Sequence, residues 1–132
     1  MRIVGIDLGE RRIGVAVVDD RVRVAIPVGT VNVSADPVED IVRLAQEQRA
    51  EELVVGLPLS LTGAEGPQAQ RVRELIEALM SRLSIPIHAW DERLTTAEAR
   101  RRAPPGGRRG REDALAAAIM LQSYMDHLRP HG

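Results

Sequence analysis

The chain of 132 residues has no cysteine, no phenylalanine and no lysine, and it carries a single tryptophan and a single tyrosine. Without cysteine there is no thiol nucleophile and no thiolate zinc site. No apolar run is long enough to span a bilayer or to act as a signal peptide, so a soluble protein kept in the cytoplasm, with no membrane partner, is expected. With Trp90 and Tyr124 as the only aromatic residues, base stacking is a poor candidate for the main mode of nucleic-acid recognition. All 18 basic residues are arginine. Genomic base composition explains the choice of arginine over lysine, but not its distribution. Arg93, Arg100, Arg101, Arg102, Arg108, Arg109 and Arg111 share a stretch whose only acids are Glu98 and Glu112. The guanidinium fork grips phosphate bidentately, so this stretch is a candidate anion-binding patch despite a formal net charge of only -1.

The length suits one domain, residues 1–132, with one core. Residues 2–7 and 13–18 read as apolar strands, and Val22 to Val28 as a third, with Thr30 to Val33 as its extension. Short turns between them predict an antiparallel meander. Asp36-Pro37 with Glu39 reads as a capping box opening a helix whose apolar face is Val38, Ile41, Val42 and Ala45. Leu53-Val54-Val55-Gly56-Leu57 is a fourth strand, stopped by Pro58. A second helix starts at Pro67, striped by Val72, Leu75, Ile76, Leu79, Met80 and Leu83. Ile85 to Trp90 is a fifth strand, running into Asp91-Glu92-Arg93. Strand, helix, strand, helix, strand predicts parallel pairing through right-handed crossovers. The expected fold is therefore α/β, a mixed sheet with helices on its faces. Thr95 to Glu98 reads as the cap of a short helix, 103–111 as a loop, and the apolar run after Glu112 as a largely buried final helix.

The chemistry is expected at the carboxyl ends of the parallel strands, where ligands bind in open sheets. Asp7 ends a strand that should be buried on both faces, an expensive place for a charge unless a cation compensates it. Asp91 and Glu92 lie at another such end, and Asp113 begins the final helix. If that helix packs beside the first strand, Asp7, Glu92 and Asp113 can meet. Three carboxylates so close need divalent cations between them, and hard oxygen donors suit Mg²⁺ or Mn²⁺. Each residue also has a plain structural reading. Asp113 can be a helix N-terminal charge, Glu92 half of a surface ion pair with Arg93, and Asp91 a reserve ligand pointing to the other face. His88 reads as a hydrogen-bonded structural histidine, and His127 and His131 as solvated. Gly9 and Gly14 can be turn and close-packing residues.

Four ordered motifs carry a resemblance over nearly the whole chain. Gly5-Ile6-Asp7-Leu8-Gly9 is followed by Gly14-Val15-Ala16, then Gly56-Leu57-Pro58-Leu59 with Gly63 and Gly66. Asp91-Glu92-Arg93-Leu94-Thr95-Thr96 with Glu98 and Asp113 ahead of Ala116-Ala117 complete the set. Together they resemble the YqgF family of Holliday junction resolvase-like and pre-16S rRNA processing nucleases. The resemblance implies a ribonuclease H-like five-stranded mixed sheet, three antiparallel strands followed by parallel ones. It also implies metal-dependent cleavage of nucleic acid, with Asp7, Glu92 and Asp113 as the acidic triad. Two departures stand out. Related RuvC-type resolvases look to have a further carboxylate one turn into the last helix, where this chain has Ala116, and the 103–111 loop is rich in Pro, Gly and Arg.

The leading expectation is a two-metal nuclease acting on structured RNA or branched DNA, as monomer or homodimer. Arg93, Arg100, Arg101, Arg108, Arg109 and Arg111 would hold flanking phosphates. Processing of the pre-16S rRNA 5′ end in ribosome biogenesis comes first, and Holliday junction resolution is the alternative. A non-catalytic module gripping nucleic acid through its arginine loop is a third reading. Asp-Leu-Gly between strands also resembles the phosphate-binding turn of actin-like and sugar kinases, which need a second domain that a chain of this length has no room for.

Overall fold

Strand β1 (Arg2–Leu8) is apolar on both faces because it lies mid-sheet, and successive side chains serve opposite layers. In the computed structural model, which describes residues 1–60, 62–94 and 112–128, β2 (Arg12–Asp19) and β3 (Ile26–Asn32) follow it. Helix α1 (Pro37–Glu47), β4 (Glu52–Leu57), α2 (Pro67–Arg82) and β5 (Ile87–Asp91) come next. A single 3₁₀ turn (Glu92–Leu94) leads off β5, and the last described element is α3 (Glu112–Leu128). The sheet order is β3-β2-β1-β4-β5, antiparallel from β3 to β1 and parallel from β1 to β5. This is the expected mixed sheet, with helices on both faces.

Val4, Ile6 and Leu8 of β1 pack with Ile13, Val15, Leu53, Val55 and the apolar stripes of α1 and α2. The intervening Ile3, with Ala16, Val18, Val54 and Trp90, packs under α3. The close approach of α3 depends on small residues on both sides. Ala114, Ala117 and Ala118 are buried on the helix, and a Cβ placed on Gly5 would come within 3.0 Å of Leu121. At Gly14 the constraint is absolute, because a Cβ there would stand 2.1 Å from the backbone oxygen of Asp113. Gly14 is thus the notch in β2 that seats the first turn of α3.

Four details depart from the sequence expectations. The third strand begins at Ile26, not Val22, because the chain first turns through Asp19–Arg23, with Arg23 at a φ of +67°. The backbone that follows bonds to a side chain of α3 instead of to β2. Gln122 Oε1 accepts from Ala25 N at 2.9 Å, and Gln122 Nε2 donates to Arg23 O at 3.0 Å. The capping box at α1 is only half formed. Asp36 accepts from Glu39 N at 3.1 Å, but Glu39 turns away to Arg82, 2.6 Å distant, and Asp36 N donates to Ser34 Oγ. Met80 is 58% exposed and lies off the buried stripe of α2. The fifth strand runs Ile87–Asp91, since Pro86 has no N–H for the ladder, although its carbonyl accepts from Leu53 N at 2.9 Å. The expected short helix from Thr95 and the 103–111 loop lie outside the described residues.

Gly14→Ala should cost about 1–3 kcal/mol of unfolding free energy, the usual penalty for forcing atoms into packed space. Chemical denaturation measures it. Gly66→Ala, whose added carbon meets nothing within 4 Å, serves as the control and should change stability far less.

Candidate active site

Asp7 lies one residue before the carboxyl end of β1, opposite Gly14 of β2, and its other neighbouring strand, β4, brings Gly56 to the same end of the sheet. Gly5, two residues earlier, shares its face of β1. Each of the three glycines admits a different close neighbour: Leu121 at Gly5, the first turn of α3 at Gly14, and a side chain at Gly56. That side chain is Glu92. A Cβ on Gly56 would lie 2.7 Å from Glu92 Oε1, so the carboxyl group occupies the space a larger residue would fill.

Glu92 begins the 3₁₀ turn that leaves β5, and it hydrogen bonds to Asp7. Burial is the main cause pushing its carboxyl up to about 8, followed by the hydrogen bond to Asp7 and the charges of Asp7 and Asp91. Asp7 is also raised above the ordinary carboxylate range, by burial first. The Glu92 hydrogen bond opposes that rise, and the charge of Asp113 adds to it. With no cation bound, therefore, the pair holds one proton, carried on Glu92 and donated to the Asp7 carboxylate.

Asp113, in the first turn of α3, is near enough for its charge to act on Asp7, but its carboxylate is engaged elsewhere. Arg12 Nε donates to Asp113 Oδ2 at 2.9 Å, in a pair whose side chains are 52% and 43% exposed. Two of the three expected acids are thus in direct contact, and the third is tethered alongside. Among the described residues no three acidic or imidazole side chains converge closely enough to form a ready cation cage.

The remaining candidates separate clearly. Arg93 Nε and Nη2 close on Asp91 at 3.0 and 2.7 Å, and Arg93 N donates to the same carboxylate at 2.9 Å. This holds the Asp91 carboxyl below its usual range and points the guanidinium toward Gly63 in the β4–α2 loop. Arg100, Arg101, Arg108, Arg109 and Arg111 lie outside the described residues, as does His131. His88 is structural, but through its ring. It stacks on Tyr124 at 5.9 Å, and its Nε2 stays 3.9 Å from Glu52, so the expected hydrogen bond gives way to a ring contact. His127, expected to be solvated, is exposed, yet its Nδ1 lies 2.8 Å from Ser123 O and its ring 5.6 Å from Trp90. Trp90, under α3, and Tyr124, on the inner side of α3, are buried in the core, which excludes both from stacking on a base.

Arg12 went unnoticed in the sequence because a charged residue in a turn is expected to be solvated. The available signal was strand alternation, which puts Arg12 on the same face as Gly14, toward the site.

Glu92 keeps a proton in the folded chain that it releases near pH 4.5 when unfolded. Between that pH and about 8 the folded state binds the extra proton, so stability is greatest at the acid end and is lost as pH rises through 8. In chelator, the melting temperature of the wild type should fall from pH 5 to pH 8. Glu92→Gln, which keeps a donor for Asp7 and cannot ionise, should flatten that slope and be the more stable protein at pH 8. An unchanged slope would rule out a shared proton.

Comparison with known proteins agrees with this architecture. The profile of the family described as "RuvX: Holliday junction resolvase" matches residues 1–127. A Chloroflexus aurantiacus protein named "Putative pre-16S rRNA nuclease" is 43% identical over 136 residues, spanning 96% of this chain and 88% of its own. An Anaeromyxobacter protein of the same name is 39% identical, spanning 98% of this chain and all of its own. Among solved structures, Thermus thermophilus RuvC in complex with a Holliday junction substrate superposes with a TM-score of 0.60 at 18% identity. It covers 98% of this chain and 97% of its own, a likeness of fold. With a family profile and close relatives spanning nearly its whole length, the chain belongs to the RuvX (YqgF) family and is a nuclease, a hydrolase of phosphodiester bonds.

Proposed function

We propose that the protein is a metal-dependent nuclease of the cytoplasm that processes the 5′ end of pre-16S rRNA, with Asp7, Glu92 and Asp113 as its acidic residues. The observation that carries this reading is the Asp7–Glu92 pair, two half-buried carboxyl groups kept in contact at the cost of one of them ionising. The donor set is all carboxylate oxygen, which fits a hard divalent cation, Mg²⁺ or Mn²⁺. Asp7 and Glu92 would hold one ion, and Asp7 with Asp113 a second. When bound, such ions lower the pKa of water and stabilise the leaving oxygen of a phosphodiester. Glu92 would have to give up its proton to hold an ion, so affinity should rise with pH up to about 8. Gly56 preserves the space in which the Glu92 carboxylate turns, and Gly14 fixes the height of Asp113 over the sheet. Arg93, Arg100, Arg101, Arg108, Arg109 and Arg111 would contact flanking phosphates, and Arg93 must exchange its grip on Asp91 to do so.

The name borne by the relatives favours an rRNA precursor. The family description favours a second reading, cleavage of branched DNA. A divalent-metal cleavage assay on a structured rRNA precursor, single-stranded RNA and a four-way DNA junction separates the two, with the precursor cleaved fastest. Asp7→Asn should abolish cleavage of every substrate while leaving the melting temperature unchanged or higher, because it removes a half-buried charge from a crowded site. Full activity in that variant, or in excess chelator, would overturn the proposal.

A further inference from the structure

The pair formed by Arg12 and Asp113 is not explained by the fold. It is half exposed, its strength is small, and α3 is already seated by Gly14 and Leu121. It acts at one sensitive point, however. Asp113 is the acid whose charge reaches Asp7, and Arg12 is the cation that neutralises it. The guanidinium is also a phosphate ligand in its own right, half exposed and on the same strand as Gly14.

On the strength of the acidic site proposed above, we infer that Arg12 is a positioning residue that couples substrate binding to completion of that site. In the free protein its guanidinium holds the Asp113 carboxylate aside, which lets three acids coexist without a cation. A backbone phosphate of the incoming strand takes over the guanidinium, and Asp113 becomes available to the cation beside Asp7. The exchange needs no rearrangement of the backbone, only rotation of two half-exposed side chains. It would keep the site from closing on a cation until a phosphate is present.

A residue that merely pinned the start of α3 would have the opposite effect, since its loss would loosen Asp113 and weaken metal binding. Calorimetric titration with Mn²⁺ alone, without nucleic acid, distinguishes the two. Arg12→Ala should bind Mn²⁺ roughly two- to fivefold more tightly than wild type, the range that exposed ion pairs are worth. The gain should disappear in the Asp113→Asn background, which separates release of a ligand from loss of a nearby positive charge. Sulfate, standing for a backbone phosphate, should tighten Mn²⁺ binding to wild type relative to chloride at equal ionic strength, and should not do so for Arg12→Ala. Arg12→Gln, which retains the length of the side chain, repeats each comparison should the alanine variant melt early. Equal or weaker Mn²⁺ binding by the Arg12 variants, or a sulfate effect that survives them, overturns the inference. Should Asp7→Asn bind Mn²⁺ as well as wild type does, the acidic site itself is wrong, a failure distinct from that of Arg12.

Discussion

Two carboxyl groups in hydrogen-bond contact at the end of a buried strand are the constraint around which this protein is built. Half-buried acids of like charge repel and lose part of their hydration, and the chain answers by keeping one protonated. The arrangement contributes nothing to folding that an apolar pair would not contribute better. At the carboxyl end of the central strand it is an arrangement suited to holding a cation rather than to holding the fold, as the proposed function requires.

The sheet accommodates the pair by leaving material out. Gly5, Gly14 and Gly56 come from three adjacent strands, β1, β2 and β4, and each gives up its Cβ to a different neighbour, Leu121, the Asp113 backbone and Glu92. The flexible tip of Glu92 meets Gly56, whereas backbone meets Gly14, so equal changes at the two positions have unequal effects. The arginines divide in a similar way. Arg12 and Arg93 each rest on an acid at the site's edge, and in that position they are neutralised without being buried.

Much of this could be read from residue order. Apolar runs ending in Asp7 and in Asp91-Glu92 marked the strand ends and, with them, the candidate site, because a charge following a buried run has few structural explanations. The start of β3 could not be read that way. Val22, Val24, Ile26 and Val28 alternate as a strand does, yet all four are exposed, and the bonds that occupy the chain at 23–25 come from Gln122, about a hundred positions away. Alternation reports residue type, whereas pairing depends on which partner reaches the backbone first. Met80 and Glu39 failed for a related reason, since period and motif describe one helix and the outcome was decided by a neighbour, Arg82 in the case of Glu39. The contact of Glu92 with Asp7 could be anticipated, but the tether on Asp113 could not, because Arg12 lies 101 positions from it.

The two notches that seat α3 also fix its register. Gly14 receives the backbone of Asp113 and Gly5 receives Leu121, eight residues further along the helix. Two separated points determine both how far a rod slides and how it is turned. Since each residue advances an α-helix by about 100° and 1.5 Å, adding one residue between 114 and 120 would leave a helix of the same composition that could satisfy only one notch. If Leu121 stayed in place, Asp113 would swing away from Asp7. The helix therefore works as a two-toothed key, in which the spacing of the teeth, more than the hydrophobicity of the shaft, keeps the third acid within reach of the other two.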